Sequence, residues 1–180
     1  ASAACYSGTL GAAEEAALNG IPAIGVSLDT LSPDADFSAV VKYFPDIFRK
    51  LISDYPTERG IYYNVNFPNI PAEDIKGIRV GHQGLGRWVR EFRDWDPSVY
   101  SKHKLTPEML GQSSVPVCEE GEKLYMMVGD FLDDKANNSR SDHWIMREGY
   151  ISIVPNNLDA TDYAEKSRLE SAGFDTDFAK

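Results

Sequence analysis

No apolar run in these 180 residues approaches the ~20 residues needed to cross a bilayer, and the first residues lack the basic, then apolar, pattern of a secretory leader. A cytoplasmic location is the expectation, with no membrane partner. Cysteine is scarce. Cys5 and Cys118 are too few for a disulfide framework and form no Cys-x-x-Cys unit, so buried or incidental thiols are expected and a redox role is not. Basic charge is also short, with 18 Lys and Arg against 28 Asp and Glu and a net charge of −10. No basic stripe is present to neutralise a phosphate backbone, so nucleic acid is not expected as a partner. A small phosphorylated ligand then requires a locally positive site, such as a helix N-terminus, a few arginines or a bound cation. His82, His103 and His143 stand in no metal-ligand spacing and are read as surface or structural. Asp130, Asp133 and Asp134 carry no calcium-loop spacing and read as a solvated turn. Repeats, low-complexity segments and linkers are all missing, so residues 1-180 are expected to form a single domain.

What the chain does have is an organising stretch near its start. Tyr6-Ser7-Gly8-Thr9 opens an alanine-rich helix that stops at Gly20 and Pro22. The first backbone N–H groups of a helix have no partner within it, and the macrodipole places partial positive charge there. Ser7 and Thr9 add hydroxyls, and Gly8 has no Cβ to keep an anion away from the backbone. The same residues are equally consistent with an ordinary N-cap that satisfies the helix's own donors.

Ala23 to Leu28, a short apolar run between breakers, predicts a buried strand of a parallel sheet. From Asp36 onward Phe37, Val40, Val41, Phe44, Ile47, Phe48, Leu51 and Ile52 recur at helical spacing, predicting one face packed on that sheet. Asp34 or Asp36 is expected to cap this helix and Pro45 to kink or divide it. Ile61 to Phe67 alternates as a strand ending at Pro68, and Ile78-Arg79-Val80 follows Gly77 as another. Asn64 and Asn66 share one face of the first of these, where they are expected to satisfy nearby backbone.

Residues 81 to 95 change character, mixing glycine, arginine and tryptophan. With Lys123 to Asp130 they predict two long projecting strands, separated by a loop holding a short helix from Thr106-Pro107-Glu108. Such an aromatic hairpin suits an interface, while Arg87 and Trp88 also have the chemistry to meet a nucleotide by charge or stacking. Ser141 to Glu148 predicts one or two helical turns ended by Gly149, then Tyr150 to Pro155 a strand, and Thr161 to Ala172 a terminal helix.

Three blocks together resemble the SurE family of survival-protein nucleotide phosphatases. They are Tyr6-Ser7-Gly8-Thr9 with its helix and Ile21 to Ser27, Asn64-Val65-Asn66-Phe67-Pro68 followed by Ile75 to Val80, and Arg147 to Pro155. Gly121 to Gly129 is similar to the family's projecting hairpin. The resemblance implies an α/β, Rossmann-like three-layer core with a projecting β-hairpin and a C-terminal helix, residues 83-140 forming the hairpin and oligomerisation insertion. It implies a hydrolase, a divalent-metal-dependent 5'-nucleotidase or phosphomonoesterase acting on nucleoside 5'-monophosphates with Mg²⁺ or Mn²⁺. Ser7, Gly8 and Thr9 would bind phosphate, Tyr6, Arg87 and Trp88 are candidate substrate contacts, and a homodimer or higher homo-oligomer is implied.

The family's metal ligands, two adjacent aspartates, a serine and an asparagine, would all lie before Ala1. The expectation is therefore a C-terminal part of a longer enzyme, with no catalytic residue or metal ligand of its own and weak or no activity alone. The alternative is that these residues serve as an inactive oligomerisation module. A dinucleotide-binding turn at Gly8 to Ala12 lacks the full glycine pattern and is set aside.

Overall fold

The computed structural model describes residues 2–30, 32 and 34–177, with the side chains of all of these except residues 2, 3 and 103. The expectation for His103 concerns its side chain and lies outside the described residues.

A 3-10 turn, Ser2–Tyr6, leads into α1 (Gly8–Leu18), whose end is marked by Asn19 and by Gly20 at φ +74°. β1 (Ile24–Leu28) follows, then α2 (Ser38–Ser53), β2 (Ile61–Phe67), a 3-10 turn at Ala72–Asp74, and β3 (Ile78–Val80). An inserted arm holds β4 (Gly86–Val89), β5 (Phe92–Asp94), α3 (Ser98–His103), a 3-10 turn at Glu108–Leu110, β6 (Tyr125–Met127) and β7 (Asp130–Asp133). The chain returns through α4 (Asp142–Arg147) to β8 (Ile151–Asn157) and ends its described part with α5 (Tyr163–Ser171).

The central sheet has the order β1-β2-β8-β3. β1 and β2 run parallel with α2 as their crossover, β8 is antiparallel to β2, and β3 is parallel to β8. The sheet is thus mixed, where a parallel one was expected. β1 is also an edge strand, and Gly25 is its one fully buried residue, because strand pairing covers it on one side alone.

Strand alternation sorts the sheet's two faces. One carries Val65, Phe67, Ile151 and Ile153, which form the main core with Ala39 and Ile47 of α2. The other carries Gly25, Tyr62 and Val154 and meets α1 and α4. With helices on both faces the core has three layers. α1 sits close because Ala13 and Ala17 on its inward side are small and Gly25 leaves room for Leu10: these residues pack with Ala23 and Tyr62, and a Cβ on Gly25 would lie 2.9 Å from Leu10 Cδ2. Tyr62 donates its hydroxyl to Glu14 at 2.6 Å, which ties the helix to β2; burial and the Glu14 carboxylate hold that phenol well above its ordinary pKa.

α2 departs from its expected packing. Ile47 is buried, but Phe37, Val41 and Phe48 stay 53%, 74% and 45% exposed, so the apolar stripe is wider than the sheet it covers. Pro45 does not divide the helix. It lies with Val41 on the exposed side, so the carbonyl that the proline ring leaves without a donor is on the solvent side of the helix. The N-cap is Phe37, with no side-chain cap, rather than Asp34 or Asp36; Asp36, one residue earlier, accepts from both the amide and the hydroxyl of Ser38.

The arm is more broken than the two long strands expected. β4 pairs with β7 and β5 with β6, and the two short ladders are separated where Arg90 adopts a left-handed φ of 55° opposite Gly129. The helical turn expected at Thr106 is a 3-10 turn, and α3 precedes it. Both cysteines are exposed thiols rather than buried ones.

Candidate functional site

At the front of α1 the N-cap reading of Ser7 is the one the structure shows. Ser7 is the N-cap, with extended φ and ψ of −78° and 118°, and its Oγ accepts from the Leu10 amide at 3.2 Å. Its own hydroxyl proton remains a donor, since a hydroxyl accepts and donates independently. The Ser7 amide donates to Ala4 O and the Gly11 amide to Ser7 O. Among the described residues the amides of Gly8 and Thr9 have no hydrogen-bond partner. Gly8 and Thr9 are exposed, and a Cβ on Gly8 would meet nothing within 4 Å. The tip therefore offers two free amides, two hydroxyls and the positive end of the helix dipole to solvent, a geometry suited to a phosphate group.

Beneath it, one row of polar side chains crosses all four strands. Ser27 pairs with Asn66, Asn66 with Ser152, and Ser152 with Arg79, all on the α1 and α4 face. Asn66 Nδ2 donates to Asn64 Oδ1 at 2.8 Å, so the two amides satisfy each other rather than the backbone, contrary to expectation. Ser152 is fully buried, and among the described residues its Oγ has no hydrogen-bond partner. The sequence reading passed over Ser152. Its signal was a lone hydroxyl inside the apolar run Ile151 to Val154, which costs free energy unless something satisfies it.

The other candidates lie apart from this tip or only border it. Tyr6 is 91% exposed at the end of the opening 3-10 turn, and that turn packs beside β4, which carries Arg87 and Trp88. Arg87 is exposed, and Trp88 is engaged edge-on with Phe131 at 5.8 Å. A cavity of about 400 Å³ lined by Ala17, Pro22, Tyr55, Glu58 and Arg59 lies at the opposite end of α1.

The acidic turn is more than solvated. Asp130 pairs with Arg90 at 2.6 Å, while Asp133 accepts from His143 Nε2 at 2.9 Å, from Trp144 Nε1 at 2.9 Å and from Asn137 Nδ2. The Trp144 bond leads the effects that hold the Asp133 carboxyl at about 2, below its usual range. The other ring nitrogen of His143 faces Asp142 Oδ1 at 3.1 Å, and that oxygen also accepts from the Gly84 amide. His143 thus bridges the arm to α4. Its partners are a structural latch, and no group of three or more His, Cys, Asp or Glu that could hold a metal occurs among the described residues. The residues described therefore do not furnish the divalent-cation site that the resemblance implies.

A three-layer α/β core with an open helix tip over a polar sheet row defines a Rossmann-like protein. Comparison with known proteins narrows the class. The family profile described as Survival protein SurE matches residues 1–90. The chain is 32% identical over 170 residues to a 5'-nucleotidase SurE of Bacteroides fragilis, covering 92% of this chain and 56% of that protein. It is 34% identical over 157 residues to a 5'-nucleotidase SurE of Cytophaga hutchinsonii, covering 87% and 51%. The crystal structure of the SurE protein from Aquifex aeolicus superposes with a TM-score of 0.64 and 25% identity over 94% of this chain and 58% of that one. The chain belongs to the SurE family. It spans about half the length of the curated relatives it matches.

Proposed function

We propose that this chain supplies the phosphate-binding half of a cytoplasmic 5'-nucleotidase that hydrolyses nucleoside 5'-monophosphates, with Ser7, Gly8 and Thr9 holding the phosphate. The observation that carries the reading is the pair of unpartnered amides on Gly8 and Thr9 at an exposed helix N-terminus. Family membership and relatives named 5'-nucleotidase support the reaction class. The amides and hydroxyls would bind the non-bridging phosphate oxygens and stabilise charge that grows on them as the ester breaks. A divalent cation, Mg²⁺ or Mn²⁺, would be held by residues of the longer protein and add Lewis-acid stabilisation of the same charge. Tyr6, Arg87 and Trp88, at the border of the tip, are the side chains proposed to meet the nucleoside.

The test is release of phosphate from nucleoside 5'-monophosphates by the longer polypeptide, with and without chelator. Hydrolysis that stops with chelator and returns with Mg²⁺ or Mn²⁺ is expected. Activity indifferent to chelator would overturn the metal-dependent reading, and no hydrolysis with either cation would overturn the activity.

A second proposal concerns assembly, with residues 83-140 as the contact region of a homodimer or higher homo-oligomer. Phe92, Tyr125 and Met127 of the arm are 67%, 54% and 79% exposed, an apolar surface of the kind that subunit contacts cover. Sedimentation of the chain at micromolar concentration is expected to give a dimer or larger species, and a monomer throughout would remove the proposal.

A further inference from the structure

The outer edge of β3 carries an arrangement that the phosphate-holding tip does not use. In a parallel pairing alternate residues point their backbone groups away from the partner strand. On β3 the Gly77 carbonyl accepts from Ile151 and the Gly81 amide donates to Ile153 O, so Ile78 O and Val80 O face outward. Each of these outward carbonyls accepts from an arginine. Arg79 Nη1 donates to Ile78 O at 2.9 Å, and Arg140 Nη1 donates to Val80 O at 3.4 Å. The two tethering carbonyls stand two residues apart along an extended strand, roughly 6.6 Å.

Tethering fixes the guanidiniums without neutralising them. Arg79 is further immobilised by stacking over the Tyr150 ring, 4.0 Å from its centroid. Arg49, Arg90, Arg93 and Arg168 all pair with carboxylates, whereas among the described residues neither Arg79 nor Arg140 does. Both line one cavity of about 260 Å³ together with Ser139, Ile145, Glu148 and Tyr150. Lys76 lies 5.9 Å from the same Tyr150 ring and donates to Glu148 O. Two cations, Arg79 and Arg140, therefore line a cavity with one carboxylate, Glu148, in a chain of net charge −10, and Lys76 stands nearby at the Tyr150 ring.

We propose that this cavity is an anion subsite for a phosphoryl group, held by the free N–H groups of Arg79 and Arg140. Guanidinium forks match the tetrahedral oxyanion, and two of them preset on one strand edge lose little entropy on binding. The carbonyl-capping role alone explains one N–H of each arginine and leaves the rest aimed at solvent. The subsite is separate from the α1 tip. Arg79 and Ser27 end opposite sides of the four-strand row, three strand spacings or roughly 14 Å apart. The inference does not rest on the reading of that tip, and the occupant is either inorganic phosphate or the phosphoryl group of a nucleotide.

The experiment is an amide NMR titration of the 180-residue chain with inorganic phosphate, AMP and adenosine at constant ionic strength. Saturable shifts at Gly81, Arg140 and Tyr150 are expected with phosphate and AMP but not with adenosine. Equal affinities would assign the subsite to phosphate itself, and a tighter AMP to the nucleotide. Arg79→Gln with Arg140→Gln is expected to weaken binding there at least about tenfold. Should the double variant fold poorly, Arg140→Gln alone, tethered from a loop, serves the same purpose. Shifts confined to residues 7–9, shifts that never saturate, adenosine alone shifting the cavity amides, or unchanged affinity in a folded variant would overturn the proposal.

Discussion

Gly8→Asp is expected to lower kcat/KM of the longer polypeptide toward nucleoside 5'-monophosphates by about 10²-fold or more, while leaving the fold as stable as before. The two halves of this prediction come from one position. A carboxylate at the first residue of α1 would stand where the phosphate is proposed to bind, opposing it by charge and occupying the Gly8 and Thr9 amides. Loss of a single preorganised donor to a developing oxyanion commonly costs about 10²–10³ in rate. The fold has no reason to suffer. A Cβ there meets nothing within 4 Å, an acid in the first helical turn gains about 0.3–1 kcal/mol from the dipole, and replacing glycine relieves backbone entropy. Thermal unfolding and steady-state kinetics on the same preparation check it. Retained activity would remove Gly8 from the site, and loss of both activity and stability would assign it a packing role instead.

The second large effect concerns the latch between arm and core. Asp133→Ala removes an acceptor of His143, Trp144 and Asn137 at once, leaving the His143 Nε2 and Trp144 Nε1 donors without that partner, while Asn137 Nδ2 keeps its bond to Leu85 O. Amide protection of residues 84–86 and 130–133 is expected to fall by about tenfold or more, with β2 and β8 unchanged, because local opening and global unfolding have separate free energies. Acid should imitate the substitution. The Asp133 carboxyl is held at about 2, below the ordinary value of about 4, so its contribution is complete above that ordinary value and is lost as pH falls toward 2. Hydrogen exchange at pH 6 and pH 2.5 reads both. Arm protection that survives the substitution and the acid would show that β4–β7 pairing alone holds the arm.

Much of the core was legible because its signals are local. The alanine helix ends where Gly20 takes a positive φ, β2 ends at Pro68, and α4 ends at Gly149 before β8 begins. What escaped depends on distant partners. The α2 stripe showed which residues are apolar, but its buried width is set by how much sheet lies beneath, so Phe37, Val41 and Phe48 remain exposed. The arm's division at Arg90 follows from a left-handed φ with no glycine to announce it. His143 reads from the sequence as surface or structural, and it is structural, but its partner was not legible, because Asp133 is ten residues away and meets it only after β7 returns to the core. At the candidate site, Ser7, Gly8 and Thr9 were visible as a helix start. The polar row from Ser27 to Arg79 was not, since it exists only in the register of four strands drawn from across the chain.

The seating of α1 on Gly25 has one more consequence. Because alanines and a glycine leave only the Leu10 and Tyr62 side chains between helix and sheet, the height of the tip above the sheet is set by close methyl and ring contacts. That height works as a steric gauge with little slack: one added carbon at Gly25, Ala13 or Ala17 would raise or tilt the whole rod. Reach toward a ligand can in this way be retuned from beneath, by residues that never meet it.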